Sequence, residues 1–75
     1  MKQAHSENMT IEILLNGEVV ETKAITISDL LAEQGYGDAK IATALNGEFV
    51  PAAEHSQRHL QAGDRIEVVA PRQGG

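Results

Sequence analysis

Two glycines close the chain, and the group left beside them is the α-carboxylate of Gly75. Gly74 and Gly75 carry no Cβ, so their backbone can be drawn out flat and threaded through a narrow slot. A carboxylate on a thin stalk suits chemistry done in another protein's active site. A frayed terminus without a role has the same composition. A terminal Gly-Gly arises by chance in roughly 1 in 200 chains, so what precedes the pair decides the matter.

Other residues offer weaker chemistry. His55 and His59 are four apart and would share one face of a helix, as paired zinc ligands do. The chain has no cysteine and no third ligand is obvious, so the favoured reading is two exposed histidines on a polar segment. Asp64 follows Gly63 and could be a catalytic carboxylate, but a turn aspartate ordinarily bonds its own backbone. Glu12 and Glu67 lie on strands with apolar opposite faces and read as solvent-facing. Asn16-Gly17, Asn46-Gly47 and Gly35–Gly37 read as turn and cap glycines, not a phosphate loop. No set of residues forms an enzyme's constellation. The expectation is a protein that is acted upon, with no metal and no bound cofactor.

Composition narrows the partners. The net charge is -5 and the six basic residues are scattered, with Tyr36 and Phe49 the sole aromatics. Nucleic-acid binding wants a basic stripe, often with stacking aromatics, and this chain offers neither. An acidic balance keeps a small protein soluble and monomeric, or steers it to a basic partner. No apolar run approaches the ~20 residues that span a bilayer. Met1–Asn8 is polar and lacks the pattern of a secretory signal, so a cytoplasmic location is expected. Residues 1–8 read as a disordered extension, with Met9 as an alternative start. Residues 9–71 form one domain, and 72–75 a flexible tail. So small a core supplies only about 3–5 kcal/mol of net stability.

The elements that must position the tail follow from local patterns. Thr10–Leu15 alternates as a strand with Ile11, Ile13 and Leu15 on one face. Asn16-Gly17 supports a type I′ hairpin turn, and Glu18–Thr22 returns. Thr26 can cap a helix over Ile27–Gln34, with Asp29 in the capping-box position and an Ile25–Leu30 staple. Lys40–Leu45 reads as a strand, Asn46-Gly47 as its turn, and Glu48–Val50 as the return, ended by Pro51. Ala52–Leu60 is a loose helical turn or a loop anchored by Leu60. Arg65–Ala70 is a last strand, apolar enough for the sheet interior. A helix after one hairpin must cover a sheet face, which gives an α+β roll of about four to five strands with one main helix.

These residues together resemble a known family. Asn16-Gly17-Glu18, the run Leu45-Asn46-Gly47-Glu48-Phe49-Val50-Pro51, the run Gly63-Asp64-Arg65-Ile66-Glu67-Val68-Val69 and the terminal Gly74-Gly75 are similar to the bacterial sulfur carriers of thiamine biosynthesis. The likeness runs from about Met9 to Gly75. It implies a β-grasp, ubiquitin-like fold whose last strand pairs in parallel with the first, in mid-sheet. It also implies a mechanism. An adenylating partner uses ATP to activate the Gly75 carboxylate, a sulfur donor converts the adenylate to a thiocarboxylate, and thiazole synthase receives the sulfur. The carrier is then a co-substrate. Ala52 stands where the family often has arginine, and His55 where it often has an aromatic.

The resemblance also leaves neighbouring readings. The small subunit of molybdopterin synthase shares the Gly-Gly tail, and ubiquitin-like modifiers share the fold. In the carrier reading, Phe49 with Pro71, Arg72, Gln73 and Gly74 forms the partner-binding surface. Phe49 could equally be core in so small a domain.

Overall fold

The two Asn-Gly pairs build the two hairpins. In the computed structural model, which describes residues 9–36 and 41–70, Asn16 and Gly17 lie at φ 51° and 86°, and Asn46 and Gly47 at 52° and 87°. Left-handed backbone at both central positions is what a type I′ turn demands, and asparagine and glycine accept it at least cost. Strand β1 (Ile11–Leu15) therefore pairs antiparallel with β2 (Glu18–Thr22), and β3 (Ala42–Leu45) with β4 (Glu48–Val50). The segment before β3 was expected to start the strand at Lys40, which lies outside the described residues.

Strand β5 (Arg65–Val69) joins the hairpins. It pairs in parallel with β1 and antiparallel with β3, and the sheet order is β2-β1-β5-β3-β4. The strand is central and its inward positions are apolar: Ile66 is fully buried and Val68 nearly so. This is the β-grasp arrangement, in five strands.

Helix α1 (Ile27–Glu33) covers one face of the sheet. Its start is well satisfied. Asp29 N–H donates to Thr26 Oγ1 at 3.1 Å, and Thr26 N–H donates back to Asp29 Oδ2 at 3.2 Å. Ile27 N–H donates to the Arg58 carbonyl and Ser28 N–H to that of His55. The first three amides, which a helix leaves without partners, thus all have acceptors. The helix stops one residue short of expectation, with Gln34 as C-cap. Of the expected Ile25–Leu30 staple, only the Leu30 half is buried. Leu30 is fully buried, but Ile25 is 62% exposed. Ile25 is held by its backbone, its N–H donating to Asp29 Oδ2 and its carbonyl accepting from Leu60 N–H.

The capping box makes stability depend on acid. Hydrogen bonds from the backbone of Thr26, then of Ile25, favour the charged carboxylate and hold Asp29 below its ordinary value of 3.8. A group depressed in the folded state stabilises above its unfolded pKa and ceases to as pH falls through the folded one. Asp29→Ala should therefore be less stable than the parent at pH 7, and the gap should begin to close as pH falls below 3.8 and vanish only below the lower folded value. Urea midpoints at pH 7 and pH 2.5 would test this. A gap undiminished at low pH would show that the carboxylate charge is not the cause.

The core lies between α1 and the sheet, from Ile13, Leu15, Ile27, Leu30, Leu31, Val50, Leu60, Ile66 and Val68. His55 belongs with them, against expectation: it is 7% exposed. A short 3-10 turn at Ala52–Glu54 carries the chain back beneath the β3–β4 hairpin. There His55 Nε2 lies 2.8 Å from Thr43 Oγ1 and 3.3 Å from the Val50 carbonyl. A buried polar ring is tolerable because its nitrogen is bonded. The imidazole fills an interior position, so it takes no part in a partner-facing surface. His59 and Ala52 are exposed.

Candidate functional site

Strand alternation sends one set of side chains toward α1 and the other to the uncovered face. On that open face lie Val19 and Glu21 of β2, Glu12 and Leu14 of β1, Arg65, Glu67 and Val69 of β5, Ala42 and Ala44 of β3, and Phe49 of β4. Phe49 is 65% exposed and Val69 66% exposed. The core alternative for Phe49 is thereby removed: it is a surface aromatic.

Register joins these residues into one patch. Phe49 stands opposite Ala44, Ala44 opposite Glu67, and Ala42 opposite Val69. The two alanines leave a shallow floor between two large apolar side chains. Beyond Val69 the described chain continues only to Ala70. The apolar patch therefore sits where β5 hands the chain on to the tail. The expected tail residues Pro71, Arg72, Gln73, Gly74 and Gly75 lie outside the described residues.

The charges of the open face are mostly acidic. Glu12 and Glu21 stand directly opposite each other on β1 and β2, a like-charge pairing that costs the isolated sheet some stability. Glu67 adds a third carboxylate, and among the described strand residues Arg65 is the basic side chain on this face. Glu12 and Glu67 are exposed, as expected.

The remaining candidates do structural work. Asp64 Oδ2 accepts from Gln61 N–H at 2.8 Å, as a turn aspartate does, and Oδ1 accepts from Asn46 Nδ2 at 3.1 Å. Among the described residues, no group of three or more His, Cys, Asp or Glu could hold a metal ion. Sequence reasoning missed the side chains of Asn16 and Asn46, which each accept a hydrogen bond from a β5 amide. The signal was present, since asparagine mimics a peptide unit, but Asn-Gly was read only as a turn.

The comparison with family models decides the kinship. The ThiS family model matches residues 5–75, nearly the whole chain and including the terminal glycines. The chain belongs to the ThiS family. It is therefore a small sulfur carrier of thiamine biosynthesis, not a catalyst. It is 38% identical over 63 residues to the sulfur carrier protein ThiS of Thermus thermophilus, covering 84% of this chain and 98% of that one. It is 35% identical over 66 residues to a thiazole synthase of Paramagnetospirillum magneticum. That match takes in 87% of this chain, which spans only 20% of the length of that relative. The fold is similar to the crystal structure of the thiamine biosynthesis protein ThiS from Geobacter metallireducens, with a TM-score of 0.73 at 20% identity. The likeness covers 87% of this chain and all of that one.

Proposed function

We propose that this ThiS-family chain carries sulfur on the Gly75 carboxylate. A carboxylate oxygen attacks the α-phosphorus of ATP in a partner enzyme, and pyrophosphate leaves. A sulfur donor then displaces AMP from the acyl-adenylate, and the resulting thiocarboxylate delivers its sulfur to thiazole synthase. The chain itself binds no cofactor, and ATP is consumed by the partner. The observation that carries this reading is the family match, which runs through Gly74 and Gly75. A stretch similar to this chain also occurs within a protein named thiazole synthase, which favours the thiamine branch over the molybdenum-cofactor branch and over a protein modifier. No helix among the described residues is long and apolar enough to cross a membrane. A cytoplasmic carrier, monomeric when free, completes the proposal.

Intact mass spectrometry after incubation with the adenylating enzyme, ATP and a sulfur donor tests the chemistry. Exchange of one carboxylate oxygen for sulfur adds about 16 Da at the terminus. Absence of that species, or sulfur found on a side chain, would refute the proposal.

The same proposal assigns docking to the open sheet face around Phe49 and Val69. Aromatic anchors tend to dominate interfaces, and the facing Glu12–Glu21 pair would be relieved by a basic rim on the partner. Phe49→Ala should leave the thermal midpoint nearly unchanged, because exposed substitutions cost within about 0.5 kcal/mol. It should weaken binding to the adenylating enzyme or thiazole synthase by about 2 kcal/mol, roughly 30-fold. Titration calorimetry reads both partners. Unaltered affinity for each would remove Phe49 from the interface.

A further inference from the structure

The ladder between β1 and β5 stops before β5 does. Leu14 N–H donates to the Asp64 carbonyl and Asn16 N–H to the Ile66 carbonyl, each at 2.9 Å. A continuing parallel ladder would next offer the Asn16 carbonyl to Val68 N–H. Asn16 cannot supply it, because its left-handed backbone turns the chain away toward β2. Its side chain does so instead: Val68 N–H donates to Asn16 Oδ1 at 2.8 Å, across 52 positions of sequence. On the other edge, Arg65 N–H donates to Asn46 Oδ1 at 2.9 Å and Asn46 N–H to the Arg65 carbonyl at 2.7 Å. The two turn asparagines thus hold β5 at opposite ends.

The ends are not equivalent. The Arg65 contact is at the start of β5, roughly 10 Å farther from the tail than the Val68 contact, at about 3.3 Å per residue. We propose that Asn16 is a positioning residue for the reaction at Gly75. Its side chain carries the β1 ladder one step further and fixes the direction in which β5 delivers the chain to the tail. The inference rests on the tail chemistry proposed above. A partner docked on the Phe49 face receives the tail from the end of β5, so the direction of that end sets where the carboxylate can reach. A misplacement of about 1 Å can cost on the order of 100-fold in rate.

Three variants test it. Asn16→Gly keeps the left-handed turn but removes the acceptor, whereas Asn16→Asp keeps an acceptor oxygen and tolerates the same backbone. Asn46→Gly makes the equivalent change at the far end of β5 and serves as the control. Adenylation is followed with the adenylating enzyme by ATP–pyrophosphate exchange, corrected for folded fraction. Amide exchange at Val68 is measured on each free variant. The expected result is a kcat at least about 10-fold lower for Asn16→Gly, with KM changed less than about threefold, and Val68 exchange accelerated. Asn16→Asp should recover most of both, and Asn46→Gly should turn over at the parental kcat. Equal losses in the two glycine variants, or a parental kcat in Asn16→Gly despite faster Val68 exchange, would overturn the inference. If the parent protein itself is not adenylated, the tail chemistry fails first and the positioning role falls with it.

Discussion

Gly74→Ala is expected to leave the fold intact and to lower the rate of adenylation by on the order of 100-fold. Among the described residues the core cluster ends at Val68, six positions before Gly74, so a methyl group at position 74 is expected to leave that interior unchanged. The thermal midpoint should stay within a few degrees of the parent. The effect on rate arises elsewhere. A partner that encloses the last residues to exclude water from an acyl-adenylate must fit them closely, and a Cβ in that slot displaces the carboxylate from attack on ATP. Steady-state exchange of labelled pyrophosphate and a thermal melt on the same preparation give both numbers. A variant adenylated at the parental rate would show that the enzyme does not read the thinness of the tail. A large fall in midpoint would show that the glycines contribute to packing.

Ile66→Ala should have the reverse effects. Ile66 is fully buried on the central strand, in register with Leu15 on one side and Leu45 on the other. Removing a buried isoleucine side chain costs about 2–5 kcal/mol, the lost transfer energy plus the cavity. A domain this small has only about 3–5 kcal/mol of net stability, so the variant should be largely unfolded or melt at least ~10 °C lower. Far-ultraviolet circular dichroism with a urea titration reads this directly. A cooperative transition at the parental midpoint would mean that the sheet closes over the gap. Set beside Phe49→Ala, which should stay folded, the pair separates the two faces of one sheet by experiment.

Local physics made much of this fold legible in the chain. Both hairpins followed from Asn-Gly, whose backbone preferences act within four residues, and the helix start followed from Thr26 and Asp29. The placement of β5 between β1 and β3 could not be read that way, because partners so distant in sequence leave no periodic trace. The family resemblance supplied the parallel pairing with β1 in mid-sheet, and the structure added β3 as the other neighbour. His55 was misjudged for a related reason. Its neighbours Ala52, Glu54 and Gln57 are polar or small, so the segment reads as solvated, and the ring's burial depends on Thr43 and Val50 in another hairpin. Ile25 was misplaced because apolar spacing stood in for packing, while the backbone of that residue was already committed to Asp29 and Leu60. At the candidate site, Phe49 was singled out by type alone, and the sheet's alternation then put it on the open face. Val69, its counterpart in the patch, was passed over as one more strand valine.

The late position of the central strand in the chain bears on how the molecule is made. The chain emerges from the ribosome in sequence order, so both hairpins and the helix come out ahead of β5, yet β1 and β3 have nothing to pair with between them until it arrives. Completion of the sheet therefore waits for almost the last residues of the domain, and folding is governed by contacts of long sequence separation. Products of interrupted translation would lack the keystone of the sheet and be open to proteolysis. Only chains synthesised as far as the start of the tail acquire a finished Phe49 face. Unfinished copies consequently cannot occupy a partner enzyme as folded, unreactive competitors.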